Sequence, residues 1–215
     1  MNLADIRREY ALAHFSEHDA HADPFEQFAI WFAEAQSAKV HEPNAMALAT
    51  TTPSGAPSVR IVLLKGVSDG GFTFFTDFRS RKAHELETTK HAAVCFFWGE
   101  VERQVRIAGT VARISATESA AYYHTRPLGS RIGAHASHQS AALASRDLLE
   151  ARVAELSAQY GEHPPLPDHW GGYRLTPVEI EFWQGRQSRL HDRVQYLRDA
   201  HEHGFGPWTR QRLSP

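Results

Sequence analysis

The chain has 215 residues, 42% of them hydrophobic, with five Trp and twelve Phe, which supports a real core and argues against a disordered chain. Its formal net charge is −2 and its pI about 6.7, unlike the strongly basic profile of a general nucleic-acid binder. A single cysteine, Cys95, excludes an intrachain disulfide; within AAVCFFW it reads as a small buried hydrophobe. No apolar run reaches the length of a membrane span, and the charged start MNLADIRREY has neither signal-peptide nor transit pattern. One cytoplasmic domain over 1–215 is expected, with 1–22 a mobile N-terminal segment and 116–162 a helical insertion.

Residues 3–14 are predicted as a short polar helix. Asp23-Pro24 then reads as an N-cap with proline at the first helical position, opening an apolar helix from Phe25 to about Lys39. From Ala45 the period changes to that of strands. Ala45–Thr51 and Ser58–Lys65 form a hairpin around Pro53-Ser54-Gly55, and Phe72–Thr76 follows the turn at Gly70-Gly71. Ser80 caps a short helix to about Lys90. Ala92–Trp98 and Arg103–Ser115 are strands joined by Gly99-Glu100, the second carrying a bulge or bend at Gly109. Thr117 caps a helix to about Thr125, broken by Pro127, and 130–140 reads as a loop with one helical turn. Asp147–Tyr160 is an amphipathic helix with Leu148, Leu149, Val153 and Leu156 on one stripe, closed by Gly161. Strands Tyr173–Leu175, Val178–Trp183, Asp192–Arg198 and Trp208–Leu213 finish the chain. Eight or nine strands without βαβ alternation predict a mainly β, α+β architecture, an antiparallel barrel with peripheral helices.

The chemistry gathers around Arg60–Lys82. Two apolar strands there are bracketed by Arg60, Lys65, Arg81 and Lys82, the last two at a helix N-terminus. Cations and free backbone N–H groups brought together in this way suit a phosphorylated small molecule. There is no Gly-rich dinucleotide loop, no nucleotide-hydrolase phosphate loop and no nucleophile turn. His14, His18 and His21, with Asp23 nearby, have helix-compatible spacing but no apolar surround; with His201 and His203 they read as solvated, and no metal site is expected. In WQGRQSRLHDR (183–193) an extended strand would put Arg189, His191 and Arg193 on one face. Flanking arginines would keep the imidazole neutral at pH 7.

Eight blocks in order, RREY at 7–10, RIVLLK at 60–65, FFTDFRSRKAHELE at 74–87, WGEVERQVRIAG at 98–109, YYHTRPLGSRIGAHASHQS at 122–140, PDHWGGYRL at 167–175, IEFWQGRQSRLHDR at 180–193 and the terminal RLSP, carry a full-length resemblance to the pyridoxine/pyridoxamine 5′-phosphate oxidases. The resemblance implies an FMN-binding split barrel acting as a homodimer with flavin at the interface. It further implies oxidation of pyridoxamine 5′-phosphate and pyridoxine 5′-phosphate to pyridoxal 5′-phosphate, with O2 reduced to H2O2. The implied flavin contacts are Arg60, Ile61, Val62, Leu63, Leu64, Lys65, Phe75, Thr76, Arg81, Lys82, Gln104, Gln139, Ser140, Trp183 and Arg193. Many members of the family have tyrosine where Phe75 stands, so a backbone contact is expected there. The implied substrate contacts are Lys65, Tyr122, Arg126 and Ser130 on the phosphate, Arg189, Leu190 and His191 over the ring, and Arg7 and Tyr10 covering the site. Arg189 and His191 are the implied catalytic pair. A phenazine-type flavin oxidase of the same fold and a non-enzymatic binder of FMN or pyridoxal phosphate are the alternative readings.

Overall fold

The computed structural model describes residues 9–201 and 204–215; Arg7, His203 and the first half of the helix expected over 3–14 fall outside that range. Residues 9–14 are not helical and run extended into the body of the protein. Helix α1 (Pro24–Ser37) begins as its sequence dictates, with the Asp23 carboxylate accepting from the Phe25 amide and proline in the first turn. Its inner face, Phe28, Trp31 and Ala35, recurs at helical spacing. That face packs on Phe72, Phe96, Trp98 and Phe182 of the sheet, the centre of the core.

The strands are β1 (Ala45–Thr51), β2 (Pro57–Leu63), β3 (Gly66–Ser68), β4 (Gly71–Asp77), β5 (His91–Trp98), β6 (Arg103–Arg113), β7 (Trp170–Gln184), β8 (Asp192–Leu197), a small hairpin of β9 (Ala200–His201) and β10 (Gly204–Phe205), and β11 (Thr209–Arg212). Nine of them make one antiparallel sheet in the order β11-β8-β7-β6-β5-β1-β2, with β4 added to β7 and β3 to β4. Alternating burial in β1 and β5 follows from their half-apolar sequences, one face to the core and one outward. The β3–β4 hairpin turns at Asp69-Gly70, both at positive φ (49° and 68°), the two-residue turn that Asp-Gly favours.

Strand β7 organises the rest. Its first half, Trp170–Leu175, pairs with β4, while its second half, Glu179–Gln184, pairs with β8. Neighbouring β6 runs along both halves, and its register shifts between Ala108 and Gly109, as the glycine suggested. The curled sheet therefore opens into two leaves around one strand, a split barrel. Sequence reading divides this strand in two at Thr176-Pro177, but Pro177 lies opposite the bulge, where a missing N–H is tolerated.

Helices sit outside the sheet: α2 (Arg81–Thr89), α3 (Ala116–Thr125), α4 (Leu128–Ala136) and α5 (Arg146–Tyr160). The Ser80 side chain caps α2. The cap of α3 is Ser115, not Thr117: Ser115 and Glu118 form a reciprocal capping box. The 130–140 loop is also corrected, because residues 128–136 are helical, with Ile132, Ala134 and Ala136 buried. In α5 the inward stripe is Leu149, Val153, Leu156 and Tyr160, each half-buried, whereas Leu148 is 58% exposed. Cys95 is half-buried rather than buried, because its position on β5 faces outward beside Ala47.

Candidate active site

A cavity of about 740 Å³ opens between β2, β4, α2 and the α3–α4 pair. Twelve of the residues singled out from sequence line it: Arg60, Ile61, Val62, Leu63, Lys65, Phe75, Thr76, Lys82, Tyr122, Arg126, Ser130 and Gln139. Leu64 is buried beneath them. Arg81 and Ser140 line a neighbouring recess on the far side of Glu85 and Gln139. The wall holds an aromatic stack that sequence reasoning missed in part. Phe75, Tyr122 and Trp170 form a triangle of nearly parallel rings, with centroids 4.1 Å (Phe75–Tyr122), 5.3 Å (Phe75–Trp170) and 6.3 Å (Tyr122–Trp170) apart. Phe75 lines the cavity, and its ring packs against Tyr122 and Trp170. Trp170 also carries the Arg126 guanidinium 4.6 Å above its ring, a cation–π contact.

The charges of this wall are graded by partner. Arg60 is held from several sides: it donates to the Leu48 carbonyl (3.0 Å), to Thr50 Oγ1 (2.6 Å) and to Ser58 Oγ (2.6 Å), and pairs with Glu85 (3.4 Å). Burial opposes ionisation of Glu85, but hydrogen bonds from Ser58, Thr50 and Arg81, with the Arg81 charge, outweigh it and hold the carboxyl at about 2. Glu85, which orients both Arg60 and Arg81, carries no local signal in the sequence. Lys82 is buried, and its ammonium donates to Gln139 Oε1 (2.6 Å) and Thr76 Oγ1 (3.2 Å), both neutral. Burial, then Arg60, lowers its pKa, while Asp77 and Glu85 oppose. No carboxylate pairs with it within 4.0 Å among the described residues. Nη1 of Arg126 is buried with no hydrogen-bond partner, and burial lowers that pKa too. A buried cation left without a counter-charge costs several kcal/mol. This wall is built for an anion.

The other predicted residues gather elsewhere. Gln104 pairs in register with Trp183, and Trp183 with Arg193, across β6, β7 and β8. The Arg193 fork closes on buried Glu181 (2.8 and 3.1 Å). The shared face expected for Arg189, His191 and Arg193 is not formed. Gln187–Arg189 is a 3-10 turn with Ser188 and Arg189 at positive φ (55° and 62°), and β8 starts only at Asp192. His191 packs against Trp183 (4.5 Å) and Tyr10 (6.0 Å), while Leu190 is 68% exposed. The Arg186 amide donates to His191 Nδ1 at 3.1 Å, so a neutral imidazole carries its proton on Nε2. Burial, then the Arg189 charge, lowers the His191 pKa against the pull of Asp192. Trp183 lies eleven residues along β7 from Gly172, the partner of Phe75, up to about 36 Å at the rise of a strand. The two groups thus stand at opposite halves of one long strand, the first beside β4 and the second beside β8.

Comparison with known proteins gives this geometry its family. Residues 32–160 match the family described as pyridoxamine 5′-phosphate oxidase, and 170–215 match the pyridoxine 5′-phosphate oxidase C-terminal dimerisation region. The chain belongs to the pyridoxine/pyridoxamine 5′-phosphate oxidase family. Among its relatives, the pyridoxine/pyridoxamine 5′-phosphate oxidase of Burkholderia cenocepacia (strain HI2424) is 57% identical over 99% of both chains. That of Bordetella pertussis (strain Tohama I) is 54% identical over the full length of both. A solved structure of PhzG from Burkholderia lata 383, in complex with tetrahydrophenazine-1-carboxylic acid, superposes with a TM-score of 0.88 at 35% identity, covering 95% of this chain and 99% of that one. An FMN-binding, pyridoxamine 5′-phosphate oxidase-related protein from Nostoc punctiforme shares the fold (TM-score 0.69, 19% identity, 91% of this chain and all of that one).

For this oxidase-family flavoprotein FMN is the cofactor, and the residues present fit it. The cavity volume is within the range that encloses a ligand of that size, aromatic and aliphatic side chains supply flat walls, and Lys82 lacks the counter-charge that a phosphate would provide.

Proposed function

We propose that the protein oxidises pyridoxamine 5′-phosphate and pyridoxine 5′-phosphate to pyridoxal 5′-phosphate. The alcohol and O2 give aldehyde and H2O2; the amine, O2 and water give aldehyde, ammonia and H2O2. The observation that carries this reading is Arg126, on the cavity wall with one guanidinium nitrogen buried and unpartnered, beside Lys65, Tyr122 and Ser130. A substrate phosphate among these four residues would neutralise the cation and fix the ring in the cavity. Such positioning is worth several kcal/mol of barrier. FMN, when bound, supplies the redox chemistry, taking two electrons from the substrate and passing them to O2.

The working enzyme on this reading is a homodimer. Arg189, His191, Trp183 and Arg193 of one copy complete the cavity of the other, which accounts for their separation along β7. Two further observations support a second copy. Val59, Ile61 and Phe97 stand 70%, 66% and 62% exposed together on the outer face of β2 and β5, an apolar patch that a second copy would cover. The C-terminal region also matches one described as a dimerisation region. His191, with its proton on Nε2, would donate to an oxygen on the substrate ring, and Arg189 would hold negative charge next to it.

The 35% identity to PhzG favours one second reading, oxidation of a larger aromatic acid without a phosphate, for which the Trp170–Phe75–Tyr122 stack is the supporting feature. An aerobic assay on FMN-loaded protein separates the two. Pyridoxal 5′-phosphate and peroxide from the phosphorylated substrates, and almost none from pyridoxine, is the expected result. Turnover of tetrahydrophenazine-1-carboxylic acid alone would replace this reading with the second, and yellow protein that makes no peroxide from any of them would leave only a binding role.

A further inference from the structure

We propose that Glu102 is a positioning residue that latches the N-terminal segment across the Trp183–His191 end of the site. The proposal rests on the reading that His191 meets substrate. Glu102 sits in the tight turn between β5 and β6 at φ 56°, almost fully buried. One of its carboxylate oxygens accepts two successive backbone amides, Ala11 at 2.9 Å and Leu12 at 3.1 Å. A carboxylate that takes two adjacent N–H groups fixes the direction of the chain passing over it, and its charge makes both bonds stronger than neutral ones. Four residues on, the Phe15 amide donates to Asp192 Oδ2 at 3.1 Å, and the Phe15 ring seats on Trp31 (4.8 Å). The segment is thus tied at two carboxylates, with its side chains aimed by the first.

What the first tie aims is Tyr10. Its ring meets Trp183 edge-on at 5.8 Å and His191 at 6.0 Å. It also lies directly over Gly185, where a Cβ would come within 2.7 Å of the Tyr10 ring and 3.1 Å of the Glu102 side chain. The Gly185 amide in turn donates to the Glu102 carbonyl at 2.7 Å. Glu102 therefore grips the segment with its side chain and, with its backbone, the turn on which His191 is built. Loosening it frees Tyr10 without removing any group that touches substrate.

Three variants of the FMN-loaded protein test this. Glu102→Gly suits the left-handed backbone and deletes the acceptor; Glu102→Gln keeps an acceptor of the same reach; Gly185→Ala wedges Tyr10 away from outside. Hydrogen exchange at the Ala11 and Leu12 amides needs no substrate. It should quicken roughly tenfold or more in Glu102→Gly and Gly185→Ala and clearly less in Glu102→Gln, which keeps the acceptor and loses only its charge. In the oxidase assay the first two should raise KM for the phosphorylated substrate roughly tenfold with kcat changed far less, and Gln should restore it. Unchanged exchange in Glu102→Gly, or a Gln variant as impaired as the Gly variant, would overturn the latch. Faster exchange with an unmoved KM would overturn the positioning role. A wild-type protein that oxidises none of the phosphorylated substrates would instead defeat the functional reading, and the exchange data would still decide the latch.

Discussion

The two ends of β7 are built to opposite specifications. At the Trp170 end the side chains are preset: Arg60 is held by four oxygens, Lys82 by Thr76 and Gln139, and three aromatic rings lie stacked. At the Trp183 end the chain leaves the sheet through a turn with two residues at positive φ, exposes Leu190, and is overlaid by a segment tied on from the N-terminus. Preset side chains suit fixed grips on the flavin and on a substrate phosphate, and the second arrangement suits parts that must give way as a ligand enters and leaves every cycle.

Variants at each end should break that contrast in different observables. Arg126→Ala removes the half-buried guanidinium, with its buried, unpartnered Nη1, from the cavity wall. It should lower kcat/KM for pyridoxamine 5′-phosphate by roughly a hundredfold or more while FMN content holds, since a charge-assisted phosphate contact is worth about 2–3 kcal/mol; steady-state kinetics beside the flavin absorbance reads both. Lys82→Met should act on the other ligand and weaken FMN binding roughly tenfold or more by fluorescence titration. Arg189→Ala should lower turnover with flavin content intact. Mixing Arg126→Ala chains with Arg189→Ala chains through refolding should then recover about a quarter of wild-type activity, because half of the dimers pair unlike chains and each of those holds one intact site. Recovery of nothing would mean that both ends serve a site within one chain.

A smaller effect belongs to pH. The Glu85 carboxyl is held at about 2 in the folded protein against an ordinary 4.5, so its contribution to stability is complete above pH 4.5 and is lost as pH falls from there towards 2. Denaturation of the wild type and of Glu85→Gln should therefore differ most above pH 4.5 and converge near pH 2.

Local signals carried much of this fold into the sequence. Asp23-Pro24, Ser80 and the alternation of β1 needed no tertiary context, and α1, α2 and β1 lie where they were expected. Segments whose structure depends on what covers them were less legible. Gly129, Ser130 and Gly133 give residues 128–136 a loop-like composition, and burial of Ile132, Ala134 and Ala136 makes the segment helical. At α3 the Ser-x-x-Glu pattern of Ser115 and Glu118 is legible in the sequence and outweighs Thr117 as the cap, because it satisfies two free amides at once. Within the site, cations and family motifs led to the cavity wall, but Trp170, Glu85 and Glu102 matter through the side chains that register and turns bring to them. No periodicity marks such residues. The separation of Phe75 from Trp183 could be seen only once β7 proved continuous.

That continuity has a mechanical consequence. In the proposed dimer each β7 would act as a stiff rod spanning both cavities, carrying Trp170 in one wall and Trp183 in the other. Two such rods, related by a two-fold axis, would couple the pockets. Filling one cavity with flavin would restrict the strand that borders its twin, so the second equivalent of FMN should bind to, and leave, a pocket already tensioned by the first.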